Sequence, residues 1–300
     1  MIDSIINSTL ILAVPLVFAA LGGAIHRRAG VVNIGLEGQM LVGAFCGILA
    51  SVATGSWIAG VLAGAAGGAL TGFIMSLVVT RLSANEIIVG LGFNILALGI
   101  VGFVLRSQFG VSGTLKFPDQ PRIPRLTIPG VEEVPVLGAV LSGKDVLFWL
   151  AVLLIPVLAW AFAHTRWGVR TRATGVNEVA TASLGVRALA LRDTAGTLAG
   201  LLAGLGGVAL ALGVSGLFNE NMIAGRGFVA LAAFYFGRSK PLPTALACLL
   251  FSFFDALQIR LQTGGGYSAD LIQTLPYIAV VVVLAWTGIT GLRRRTRVAV

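Results

Sequence analysis

"VNIGLEGQML", residues 32–41, interrupts an apolar run with Asn33, Glu37 and Gln39, three polar side chains where a membrane span ordinarily carries none. The surrounding 300 residues are 57% hydrophobic and only 11% charged, more apolar than a soluble domain of this size needs for its core. Runs close to the ~20 residues that cross a bilayer recur at 8–25, 31–53, 56–80, 87–105, 145–163, 194–217, 227–237, 242–259 and 272–291. These predict about nine crossings, the seventh too short to span alone as a straight helix. Their Leu, Ala, Val and Gly content lacks the alternation of an outer-membrane barrel strand. The expected fold is all-α: a polytopic helical membrane protein forming one domain over residues 1–300.

The net charge of +9 is spread over short loops rather than gathered on one face, which argues against nucleic acid as a partner. If the spans alternate, His26-Arg27-Arg28, Arg81, the arginines between Arg166 and Arg192, Arg238 with Lys240, and Arg293-Arg294-Arg295 with Arg297 share one side. The positive-inside rule makes that side the cytoplasm. The N-terminus and loops 106–144, 218–226 and 260–271 then lie outside, and the polar stretch 164–193 and the C-terminus inside. Five basic residues in 106–144 run against the rule, but that loop is long and also carries Asp119, Glu132 and Glu133. The first apolar run has its charges after it, as a retained span does. Cys46 and Cys248 lie in apolar segments without partner spacing and read as core residues.

"NEIIVGLGFNILA", 85–97, matches "NENMIAGRGFVALA", 219–232, at Gly90/Gly225, Gly92/Gly227, Phe93/Phe228, Leu96/Leu231 and Ala97/Ala232, a constant offset of 135 residues. An odd number of crossings separates the copies, so they face opposite sides of the membrane. That is the inverted repeat from which many transporters are built. Shared small-residue packing among 40 glycines is the competing explanation.

Asn33 and Glu37 are four residues apart, on one face if helical. Glu37 lies nine residues past Arg28, about 13 Å deeper in a straight helix. A carboxylate there costs roughly 2.5–3.5 kcal/mol even on lenient insertion scales, so it must face protein or water. Gly35 and Gly38 weaken the helix around it, as in a broken segment lining a cavity. An interhelical hydrogen bond that locks packing is the other reading. Asn85-Glu86 and Asn219-Glu220-Asn221 sit at segment ends, where capping of a helix start and contact with substrate or a gate both fit. Arg226 is placed to pair with Glu220 at the outer mouth. Asn33, Glu37, Gln39, Asn85, Glu86, Asn94, Asn219 and Glu220 are therefore the candidate pathway residues.

"RTRATGVNEVATASLGV", 170–186, reads as one short amphipathic helix, with Val176, Val179, Ala180, Ser183 and Leu184 on a face, Asn177, Glu178 and Thr181 pointing elsewhere, and Gly185 as the stop. It suits anionic lipid or a groove in a partner protein. No phosphate-binding Gly-Lys-Ser or Gly-Lys-Thr loop, no Ser/His/Asp constellation and no metal-ligand spacing occur, and His26 and His164 merely border span ends. Catalytic and metal-binding residues are not expected.

"RRAGVVNIGLEGQMLVGAF", 27–45, with "GVRTRATGVNEVATASLGV", 168–186, resembles the permease subunit of a bacterial ABC importer of the branched-chain amino acid and simple-sugar permease superfamily. Sugar-type members usually carry an Asp-Leu-Ser-Val-Gly-like version of the first motif, whereas "NIGLEGQ" resembles the nucleoside-importing branch. Residues 170–186 resemble the family's coupling loop at Gly175, Asn177, Ala180 and Gly185, with Thr181 where a second Ala is usual. The resemblance implies that Thr174, Gly175, Asn177, Glu178, Ala180 and Gly185 meet a cytoplasmic ABC ATPase, which binds ATP and Mg, and that this chain needs no cofactor of its own. It also implies a second, different permease chain and an extracytoplasmic substrate-binding lipoprotein, in the bacterial cytoplasmic membrane. A nucleoside importer is the expected function; a simple-sugar importer and an ion-coupled secondary transporter with Glu37 as proton carrier are the alternatives.

Overall fold

A computed structural model describes residues 2–263, except 119, 127–139 and 141, together with the isolated positions 274 and 285. The last apolar run, 272–291, and the basic cluster 293–297 thus lie outside the described residues. Among the described residues seven helices are long and apolar enough to cross a membrane.

The chain runs through α1 (Ile2–Arg28), α2 (Leu36–Thr54), α3 (Trp57–Arg81), α4 (Glu86–Phe109), α5 (Val146–His164), the short α6 (Arg166–Val176) and α7 (Glu178–Ser183), α8 (Ala188–Val208), α9 (Arg226–Phe236) and α10 (Pro241–Thr263). α8 continues as a π-helical turn over Ala209–Ser215. Two small antiparallel pairs of strands close the end opposite Arg27-Arg28. β1 (Thr114–Leu115) pairs with β4 (Phe218–Asn219), and β2 (Arg125–Leu126) with β3 (Lys144–Asp145).

α1, α2 and α8 form the centre, while α3, α4 and α5 turn most of their surface outward. Lipid gives helices no hydrophobic reason to associate, so they hold together by close approach. α3 and α8 do this through facing glycines: a Cβ on Gly68 would collide with the Gly200 carbonyl, and one on Gly204 with the Gly64 carbonyl.

Two crossings are broken. After α1 ends, residues 29–35 descend without helical structure beside α4 before α2 begins. Gly90 lies against Ile34 and Gly35, and Gly38 against Asn94 and Ala97. Asn94 is eight residues into α4, so α2 starts about 12 Å along that helix from its N-terminal end. From the other end the chain re-enters over 220–225 and starts α9 at the same level. α9 then returns to the basic end, where Arg27 stacks on Tyr235 at 3.7 Å. At 11 residues α9 is a half-span.

The stretch expected as one helix over 170–186 is two. Asn177 ends α6, its amide donating to Ala173 O at 3.0 Å, and starts α7, its side chain accepting from Ala180 N at 3.0 Å. An asparagine that can cap in both directions outweighs the apolar periodicity across it. Gly185, at φ +77°, stops α7 as expected.

Between β2 and α5, Lys144 is buried, donating to Asn7 and lying 5.6 Å from the Phe148 ring. Burial lowers its ammonium to about 8, against which the Asp145 carboxylate pulls upward. An unfolded lysine titrates near 10.4, so the unfolded chain holds more protons between those values and stability rises with pH there. In detergent, wild-type Tm should gain on Lys144→Met as pH is raised from about 7 to about 10. A pH-independent difference would show that Lys144 is not neutralised in the fold. At the α3–α8 contact, Gly68→Val should cost about 1–3 kcal/mol by overpacking, read as a lower Tm of the purified chain.

Candidate functional site

The two broken crossings meet at Glu37. It stands in the first turn of α2, and its carboxylate reaches the start of α9, accepting from Gly225 N through Oε1 and from Gly227 N through Oε2, both at 2.7 Å. Gly225 has φ +85°, and a Cβ on Gly227 would stand 2.5 Å from the Glu37 amide. Only glycine permits both the turn and the approach. Helix N-termini carry partial positive charge and unpaired amides. The carboxylate pairs two amides at the start of α9 and stands in the first turn of α2, where a negative group suits the dipole, which offsets the cost of placing it within the membrane.

The start of α2 is held from its other side by Asn94, whose Oδ1 accepts from Gly38 N at 2.9 Å and whose Nδ2 donates to Ile34 O at 3.0 Å. Glu86, at the first turn of α4, accepts from Val32 N at 2.8 Å. Asn85 caps α4, accepting from Ile87 and Ile88 amides at 2.9 and 3.3 Å.

Asn33 and Gln39 depart from the expectation of a lining role. Both are fully buried; Asn33 Nδ2 donates to Gln39 Oε1 at 2.9 Å and Asn33 Oδ1 accepts from Gly35 N at 3.0 Å. Asn33 precedes α2, so the helical spacing that put it on Glu37's face does not apply. They lock the bend instead. Glu220 also departs: it pairs with Arg106 at 3.3 Å, while Arg226 turns back to the Met222 and Ile223 carbonyls. Asn219 donates to Thr114 Oγ1 at 3.1 Å beside the β1–β4 pair.

Of the expected residues, Glu37 and Asn94 are brought together, on a cavity of about 240 Å³. Its remaining walls include Asn221, Phe228 and the α4 side chains Leu91, Ile95 and Leu98. Phe228 on the cavity wall and Gly227 against Glu37 are matched positions of the repeated stretch whose site role no local pattern marks. Of the six residues linked to an ATPase, Asn177, Glu178 and Ala180 sit at the α6–α7 junction, Thr174 is buried, and Gly185 ends α7. Gly175 abuts the Arg28–Gly30 turn. Val176, Val179 and Leu184 stand 87%, 76% and 83% exposed there, around a shallow groove.

Broken helices that meet at a largely apolar cavity bearing a few polar groups are the arrangement of a membrane permease. The model of the branched-chain amino acid transport system / permease component family matches residues 5–288, and the chain belongs to that family. It is 32% identical to the nucleoside ABC transporter permease protein NupC of Lactococcus lactis, over 94% of this chain and 91% of that one. It is also 32% identical to the guanosine ABC transporter permease protein NupQ of Bacillus subtilis, over 96% and 92%. The putative glucose ABC transporter permease protein TsgC13 of Haloferax volcanii is 29% identical over 95% and 92%. The chain is a multi-pass transport subunit of the cytoplasmic membrane.

A glutamine at 37 has one acceptor oxygen for two amides. Glu37→Gln should leave one buried donor unpaired, costing about 1–3 kcal/mol locally. Hydrogen exchange by mass spectrometry should then quicken at residues 225–229 while α3 and α8 stay protected. Unchanged exchange at 225–229 would mean the carboxylate does not hold α9.

Proposed function

We propose that this chain is the membrane-spanning subunit of an ATP-driven importer of nucleosides, with its substrate pathway along the face that bears the Glu37 cavity. The observation that carries the reading is that cavity: a carboxylate and two amides set among apolar side chains and one aromatic ring. A nucleoside presents a flat, largely apolar base with hydrogen-bonding edges and a sugar with hydroxyls. It is uncharged, so Glu37 serves as acceptor and helix lock rather than counter-ion. The similarity to nucleoside and guanosine permeases over nearly the whole chain points the same way.

The cavity's volume falls short of the 300–1,000 Å³ common for small-molecule sites, as half of a pathway would. α4 beside it exposes Ile87, Ile88 and Ile95; a second permease chain completes the wall there. The end with Arg27-Arg28 is cytoplasmic, and an ATPase holding ATP and Mg docks on the apolar groove of α6–α7. A lipoprotein delivers substrate to the side of the β pairs. The complete domain has about nine crossings, with 106–144 outside and 164–193 as the coupling region. Its inverted repeat is supported by α4 and α9, which run in opposite directions and both meet the start of α2.

The test is uptake of labelled guanosine, ribose and glucose into cells lacking the chain and into the same cells complemented with it. Guanosine uptake should depend on the chain and survive a protonophore while ATP is maintained. Dependence of ribose or glucose alone would move the substrate to sugars, a reading favoured by the similarity to TsgC13. Collapse with the protonophore at constant ATP would point to an ion-coupled carrier. Glu37→Gln should lower uptake about tenfold, a loss of about 1.4 kcal/mol in transition-state stabilisation, with the protein still in the membrane.

A further inference from the structure

The second turn of α8 carries two adjacent charges, Arg192 and Asp193, that bind in different directions. Asp193 is buried and pins α8 to α3, accepting from Arg81 Nη2 at 2.7 Å, Arg81 Nε at 3.1 Å and Thr80 Oγ1 at 2.8 Å. Arg192 turns the other way. Its Nη1 pairs with Glu178 Oε2 at 2.5 Å, and its Nε donates to Ala29 O at 3.2 Å.

Those two contacts join different parts of the molecule. Glu178 is the first residue of α7, beside the exposed apolar groove; Ala29 heads the irregular descent 29–35 that leads to Glu37 and the start of α9. The same turn is wedged against α6. Gly30, at φ +93°, and Gly175 approach so closely that a side chain on Gly175 would strike the Arg28 carbonyl. Below, Val32 is tied to Glu86, Asn33 to Gln39, and Gly38 to Asn94. The descent is therefore tied by its own main chain to the end of α1 over Ala29–Val31 and by side chains from Val32 onward, so a displacement of Ala29 passes along it.

We propose that Arg192 is a positioning residue that carries movement of α7 into the segment 29–35, and so to the Glu37 cap beside the cavity. Asp193 supplies the fixed point: α8 stays anchored on α3 while the Arg192 guanidinium couples the mobile helix to the descent. The inference rests on the reading that α6–α7 is where the ATPase docks.

The experiment uses the assembled transporter, purified through this chain with its ATPase, with Cys46 and Cys248 replaced by alanine and one reporter cysteine at Leu98 on the cavity wall. Maleimide labelling of the reporter is compared without nucleotide and with ATP plus vanadate. With Arg192 in place, the labelling rate should change about fivefold or more between the two states. Arg192→Gln should remove that change while ATP hydrolysis stays within about twofold of the parent, and Arg192→Lys, which keeps a charge for Glu178, should restore part of it. A reporter that still responds in Arg192→Gln overturns the proposal. So does a proportional loss of hydrolysis, which would assign Arg192 to docking or folding, and so does a parent whose reporter never responds. The readout needs no nucleoside. Failure of guanosine uptake with an intact reporter response would sink the substrate reading alone, and absence of an ATPase from the purified complex would sink the docking reading.

Discussion

A single carboxylate placed between two helix starts is the interaction on which the remaining architecture depends. α2 and α9 both begin inside the bundle, and each brings unpaired amides and the positive end of its dipole to the same spot. Two such ends repel in a medium that screens poorly. Glu37 puts a negative group between the two ends and pairs amides of α9 through bonds of 2.7 Å to Gly225 and Gly227, while Asn94 and Asn33 accept from Gly38 and Gly35 at the start of α2. Charge-assisted bonds of this kind are worth roughly 1.5–3 kcal/mol each, comparable with the cost of inserting the carboxylate. The acidic side chain is thus accommodated because the backbone around it is broken, and the break is held because the side chain is there.

Around that point the bundle divides its labour. The α3–α8 contact is glycine against glycine, with backbones too close for any side chain, and gives a stiff frame anchored again by Asp193 on Arg81 and Thr80. The segments 29–35 and 220–225 lack a continuous helical ladder and are held by a few main-chain bonds and by side chains such as Glu86, Asn33 and Glu37. A rigid frame carrying two side-chain-tethered breaks concentrates deformability at the cavity, where a transport cycle needs it.

The family, its relatives and the geometry fit together at the level of particular residues. The motif that carries the resemblance, residues 27–45, is the stretch that leaves α1, descends beside α4 and starts α2 with Glu37. The second motif, 168–186, folds as α6 and α7 and touches the first at Gly30 and through Arg192. Two sequence signatures some 140 residues apart are therefore one contiguous unit in space, running from an exposed apolar groove to the wall of the cavity.

Hydrophobic runs of bilayer length determined the helical membrane class from the sequence alone, because lipid admits only helices and closed barrels and these runs lack a barrel strand's alternation. The anomaly of Glu37, the shortness of the 227–237 run and the capping role of Asn85 were legible for the same local reasons. What Glu37 bonds to was not, since Gly225 and Gly227 lie nearly 190 residues away and a glycine's close approach leaves no mark in its own sequence. Asn33 and Gln39 looked like their neighbour Glu37, yet only the tertiary structure decided that they face each other in a sealed bend. Glu220 likewise had a partner close in sequence, Arg226, and took one on another helix, Arg106, because the re-entrant segment runs alongside α4. Composition and periodicity choose the medium and the secondary structure; which polar group meets which is settled by where the breaks in the helices fall.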